Sequence, residues 1–79
     1  MVLYTVFDEL SKKSGPIFEQ ANDELALRSF EVMLETIPKA VSRDLRLYKL
    51  GTYDADFMKC ELFPAPEVVD ASTLLNPKE

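Results

Sequence analysis

Between Arg43 and Lys59 the chain interleaves cations with aromatics: Arg43, Arg46, Lys49 and Lys59 alternate with Tyr48, Tyr53 and Phe57. Aromatic platforms that stack bases, lined by cations that follow the phosphates, are how proteins hold single-stranded nucleic acid. In an extended chain the set divides, with Lys49 and Tyr53 on one face and Arg46 and Tyr48 on the other. Lys12 and Lys13 form the chain's one doubly basic pair, next to Ser14-Gly15-Pro16. Away from any partner, such a pair reads as a solvated surface. Asp54 and Asp56, with Asp44 or Glu61, offer oxygen ligands of the kind Mg²⁺ takes. Aspartates two apart in a short polar break are also what turn geometry selects, and the turn is the reading adopted, so no metal site is expected.

Enzyme chemistry has little to build on. The 79 residues contain no histidine, which removes the commonest general base and metal ligand. There is no GxGxxG, no phosphate-binding GKS or GKT, and no pair of cysteines, so nucleophilic, zinc and nucleotide chemistry by familiar routes are unsupported. A non-enzymatic protein without a cofactor is expected.

Fourteen acidic residues against nine basic ones give a net charge of −5, so any hold on phosphates must come from a local patch. Cys60 is the single cysteine, which excludes an intrachain disulfide and fits a reducing compartment, with the thiol expected to be buried as a small hydrophobe. The opening VLYTVF is strand-like and has no charged leader or cleavage site, and no apolar run reaches membrane-spanning length. A cytoplasmic protein without a membrane partner is expected.

The elements that must position these residues centre on Asn22 to Ile37. Asn22 predicts an N-cap, and Asp23 and Glu24 suit the positive end of the helix dipole. Ala26, Phe30, Met33 and Ile37, widened by Leu27 and Leu34, make one apolar face. Glu24, Arg28, Glu31 and Glu35 lie opposite, and Pro38 ends the helix. Val2 to Asp8 is apolar on both faces and reads as a central strand. Glu9 to Ala21 reads as a loop broken at Gly15-Pro16, with Ile17 and Phe18 anchoring it to the core. Leu45 to Tyr53 and Phe57 to Phe63 read as a hairpin with a loop of about three residues, and Gly51 marks a bulge or a close backbone approach. Pro64 and Pro66 close it. Beyond them, Val68-Val69 and Leu74-Leu75 suit a short strand or arm docking on the sheet or on a second copy.

The expected fold is therefore α+β: one amphipathic helix packed on a small, mostly antiparallel sheet of three to four strands, β-α-β-β plus a C-terminal arm. Residues 1–63 form the single domain and 64–79 the extended arm. The helix connection can be a right-handed crossover that sets the first two strands parallel, or the hairpin can insert otherwise. Exposed edges and the apolar arm favour a homodimer by edge pairing or arm exchange.

Several groups of residues, taken in order, resemble a known family. They are Tyr4-Thr5-Val6-Phe7-Asp8, Lys13-Ser14-Gly15-Pro16-Ile17-Phe18, Asn22-Asp23 with Ala26, Arg28 and Phe30, and Asp44 leading into Leu47 through Asp54. The set resembles the small nonstructural proteins of gokushovirus-type microviruses, phages with circular single-stranded DNA genomes. That resemblance implies a role in producing or packaging viral single strands in the host cytoplasm, with DNA binding, and supplies no catalytic residues. Arg28, on the polar helix face, joins Lys13, Tyr48 and Tyr53 as matched positions whose chemistry suits a phosphate or base. The expected single-stranded DNA surface comprises Lys12, Lys13, Arg28, Arg43, Arg46, Tyr48 and Tyr53, with a viral or host replication protein as a further partner. The alternative is an adaptor that touches no DNA and works through its acidic face and apolar arm. Clustering of Lys12, Lys13, Arg28, Arg43 and Arg46 favours the first reading, and dispersal among carboxylates favours the second.

Overall fold

The computed structural model describes residues 1–72, so the Leu74-Leu75 part of the expected arm lies outside the described residues. Helix α1, Asp23–Leu34, starts where the sequence predicts. Asn22 is extended (φ −156°, ψ 173°) and its Oδ1 accepts the Leu25 amide at 2.9 Å, satisfying one of the free donors of the first turn. The helix ends short of the expected Ile37. The amides of Glu35, Thr36 and Ile37 bond to the carbonyls of Val32, Met33 and Leu34, and the Thr36 hydroxyl donates to Met33 O at 2.7 Å. This tighter winding satisfies the last carbonyls, and Pro38 prevents a return to α geometry. A short helix α2, Lys39–Ser42, follows.

The strands are β1 Val2–Asp8, β2 Lys13–Ser14, β3 Phe18–Gln20, β4 Leu45–Asp54 and β5 Lys59–Val69. Their order is β2-β1-β4-β5, with β3 also on β1, and every pairing is antiparallel. The α+β class with one main helix on a small antiparallel sheet holds. The parallel alternative for the strands on either side of the helix does not: β1 and β4 run antiparallel, from Val2↔Thr52 to Asp8↔Leu45. The reason lies in the segment expected to be a loop. β2 pairs at Phe7 and Asp8 and β3 at Tyr4 to Val2, so the chain travels back along β1 before the helix begins. α1 then starts at the Val2 end and finishes at the Asp8 end, and β4 must return antiparallel.

Gly51 marks both of the constraints expected of it. Leu50 is the extra residue of a bulge against β1, since Leu3 faces Gly51 while Tyr4 faces Lys49. A Cβ on Gly51 would stand 2.1 Å from Glu61 O and 2.8 Å from Leu62 Cα, so the side chain is excluded by close approach of β5. On β5, Leu62 pairs with Gly51 and Glu67 with Lys49. Phe63 to Pro66 therefore loop out opposite Leu50, and both prolines occupy positions where no ladder donor is needed. β5 thus continues through residues 64–69.

The two sides of the sheet differ. Tyr4, Leu47 and Val69 point to the helix side and are fully buried with Ala26, Leu27 and Phe30, with Val2, Val6, Phe18, Met33, Leu34 and Leu45 packed around them. Leu3, Thr5, Phe7, Tyr48 and Leu62 occupy the other side by the same registers, and among the described residues no helix covers it. Thr5 is buried there because its hydroxyl donates to Gly15 O at 3.0 Å and Pro16 O at 3.3 Å. That tie separates the two expected anchors. Phe18 stacks on Tyr4 with ring centroids 5.8 Å apart, whereas Ile17 sits on the open side, 60% exposed.

Candidate nucleic-acid interface

Antiparallel pairing of β1 with β4 brings basic residues of two distant segments to one end of the sheet, Lys13 level with Asp8 on the helix side and Arg46 level with Phe7 on the open side. Lys12 and Lys13 lie in the turn into β2, where Lys13 pairs with Asp8. Arg43 caps α2, and Arg46 pairs with Phe7. The Glu9 amide bonds to Asp44 O at 2.8 Å, which locks the two segments together. Lys12 has φ 61° and its amide bonds to Asp8 O at 2.8 Å. That left-handed turn is uncommon for a lysine. Arg46 Nη1 donates to the carbonyls of Arg43 at 2.8 Å and Leu45 at 2.9 Å, so the guanidinium is held against the end of α2 and retains further donors. Lys12, Lys13, Arg43 and Arg46 are all exposed.

Carboxylates share this end. Asp8 Oδ1 accepts the Leu10 amide at 2.9 Å and the Ser11 amide at 3.3 Å. Those bonds, Ser11 first and then Leu10, hold its pKa below the ordinary value. Glu9 Oε2 accepts the Tyr48 hydroxyl at 2.9 Å, and this bond, followed by burial and the Glu9 charge, raises the Tyr48 pKa. The Tyr48 ring meets Phe7 edge-on, centroids 6.0 Å apart and planes at 85°. Both walls of a shallow apolar cleft of ≈ 490 Å³ on the open side come from these rings with Ile17, Leu50 and Pro66.

The remaining expected residues lie elsewhere. Arg28 is exposed on α1, and among the described residues no carboxylate comes within 4 Å of it. Tyr53 is at the far end of β4, where its amide bonds to Met1 O at 2.8 Å. Lys49, in the wider basic set, is engaged on the helix side: its Nζ lies 2.9 Å from Asp23 Oδ2, and Tyr4 Oη donates to Asp23 Oδ1 at 2.6 Å. Burial raises the Asp23 pKa, but the bonds from Tyr4 and Lys49 and the lysine charge outweigh it and the net shift is downward. Burial, then Asp23, pushes the Tyr4 hydroxyl well up. This triad pins the start of α1 to β1 and β4. Sequence reasoning missed it, and no local signal would have revealed it, because its members come from three elements. Asp54 serves the turn, its Oδ1 accepting the Asp56 amide at 3.0 Å. Among the described residues no three potential ligands group as a metal site.

A small antiparallel α+β protein with exposed basic residues at one end of its sheet is the class these features define. The chain belongs to the phage ORF5 protein family, whose model matches residues 1–74. Neither curated proteins nor solved structures gave a match.

Proposed function

We propose that this phage protein is a non-enzymatic nonstructural factor of a gokushovirus-type microvirus that assists single-stranded DNA production or packaging in the host cytoplasm. It contacts the strand through Lys12, Lys13, Arg43 and Arg46 beside Tyr48. The observation that carries this reading is that the cations, which flank the helix in sequence, reach the same Asp8 end of the sheet. The four cations outnumber the carboxylates of Asp8, Glu9 and Asp44 at this end, which the bonds from amides and from Tyr48 orient without neutralising. Membership of a phage family and the resemblance of the ordered motifs support the same role. Arg28 and Tyr53 fall outside the surface on geometric grounds.

The test is fluorescence anisotropy with labelled single-stranded and duplex DNA at two salt concentrations. Single-strand binding that weakens steeply with salt is expected, and Lys12→Glu with Lys13→Glu lowers the salt slope by about 1 per lost phosphate contact. Arg28→Glu leaves the slope unchanged. Absence of binding at low salt defeats the reading. A second reading, an adaptor for a viral or host replication protein, draws on the uncovered apolar side of the sheet.

A further inference from the structure

Among the described residues ten large apolar side chains are exposed, against six hydrophobic residues in the buried core, so much of their apolar surface is left for a partner to cover. Two exposed apolar features fit one another. One is the tip of the β4–β5 hairpin, residues 55–58, beyond the last link to β1. Phe57 and Met58 there are 77% and 82% exposed, and Met58 has φ 52°, a left-handed geometry uncommon for its side chain. Three carboxylates, Asp54, Asp56 and Glu61, lie at this end of the sheet against Lys59 and the Met1 ammonium. The other is the cleft between Phe7, Ile17, Tyr48, Leu50 and Pro66. It lies toward the basic end, with Arg46 beside Phe7, Lys12 in the adjoining turn and Glu9 bonded to Tyr48.

We propose that a second copy of this chain covers the open side, with a twofold axis seating each Phe57-Met58 tip in the cleft of the other copy. The protein is elongated, 41 × 29 × 22 Å, and the twofold runs the two sheets head to tail, acidic tip over basic end. Apolar knob meets apolar cleft, and charge meets opposite charge. Cleft and tip are about seven residues apart along β4, or roughly 24 Å at ~3.4 Å per residue. Their midpoint falls where Tyr53 pairs with Cys60 and Gly51 with Leu62. Leu62, 68% exposed, therefore meets its own copy near the axis, and the Cys60 thiols, exposed where burial was expected, approach each other. Edge pairing through β5 is the poorer route to a dimer, because Pro64 and Pro66 offer no donor to a further strand. The interface covers Tyr48 and adjoins Arg46, so a second copy and a DNA strand compete for that end, but the dimer is read from oligomeric state alone and survives failure of the DNA reading.

Light scattering and sedimentation of the full chain over a range of concentrations test it. The native protein is expected to be a dimer. Phe57→Ser with Met58→Ser, and separately Ile17→Asp, should each give a monomer with unchanged circular dichroism. Mixing those two monomers should restore association, because the mixed pair keeps one intact tip facing one intact cleft. In the native chain, oxidised glutathione should take two electrons from the paired thiols and leave a Cys60–Cys60 bond between copies. A monomeric native protein, a dimer that survives both sets of substitutions, or variants that do not recover on mixing would overturn the proposal. The cross-link needs no substitution, so its absence counts against the proposal even where a variant fails to fold.

Discussion

On the helix side of the sheet Tyr4 is 0% exposed and its hydroxyl, the Asp23 carboxylate and the Lys49 ammonium satisfy one another. Across the same strands, on the open side, Leu62 and Ile17 stand mostly in solvent. One sheet thus carries a finished core and an unfinished one. The finished side sets which conformation the chain adopts, and the open side is where another molecule gains most by binding. Polar chemistry divides in parallel: the half-buried Lys49 is consumed by folding, and Lys12, Lys13, Arg43 and Arg46 stand exposed at one end.

The largest way to break this arrangement is Gly51→Ala. Every near neighbour of the added methyl is β5 backbone, so no side chain can swing aside and the β4–β5 ladder must part. Val69 then leaves the core with the rest of β5. A loss of about 3 kcal/mol or more is expected from overpacking together with lost burial, read by urea denaturation. A loss within experimental scatter would mean that β5 does not lie this close to β4.

The next effect belongs to the triad. Tyr4→Phe leaves Asp23 with one partner fewer and should cost about 1.5–3 kcal/mol, the range for a hydrogen bond to a charged group. The pH dependence has a definite sign. Asp23 has a folded pKa below its ordinary value, so its contribution is fully present above the unfolded value near 3.9 and disappears as pH falls through the depressed folded value. Asp23→Asn should therefore flatten the acid limb of stability below about pH 4. The slope left over is expected to come from Asp8, which is shifted in the same direction. Tyr4 acts at the opposite extreme: its raised pKa contributes stability that is present below about pH 10 and lost as pH rises beyond it. An acid limb identical in Asp23→Asn and the native chain would remove the triad from the account of stability.

What was legible in the sequence was local. Asn22 announces the helix because a cap is chemistry within three residues, and Gly51 announces a constraint because a glycine inside an alternating strand has few other reasons to be there. The direction of β4 was not legible. It depends on β2 and β3, strands of two and three residues, too short to show a period and existing only through their bonds to β1. The site follows the same rule. Lys12-Lys13 and Arg43 with Arg46 were each visible, but their meeting depends on that direction, and so does the departure of Tyr53 to the other end. The strand continuing through Pro64 and Pro66 ran against propensity, because the excursion opposite the Leu50 bulge frees both prolines from the ladder.

The smallest expected effect sharpens the comparison most. Leu47→Ala on the helix side opens a cavity in a packed site and should cost about 2–5 kcal/mol at any protein concentration. Leu62→Ala lies on the same pair of strands but on the open side, so in a dilute, monomeric sample it should cost within about 0.5 kcal/mol. Raising the concentration should separate the two substitutions further. If a second copy covers the open side, association stabilises the native chain by mass action, and Leu62→Ala forfeits part of that gain while Leu47→Ala does not change its penalty. A Leu62→Ala cost that stays flat across concentration would leave the helix-side core intact and return the open side to solvent.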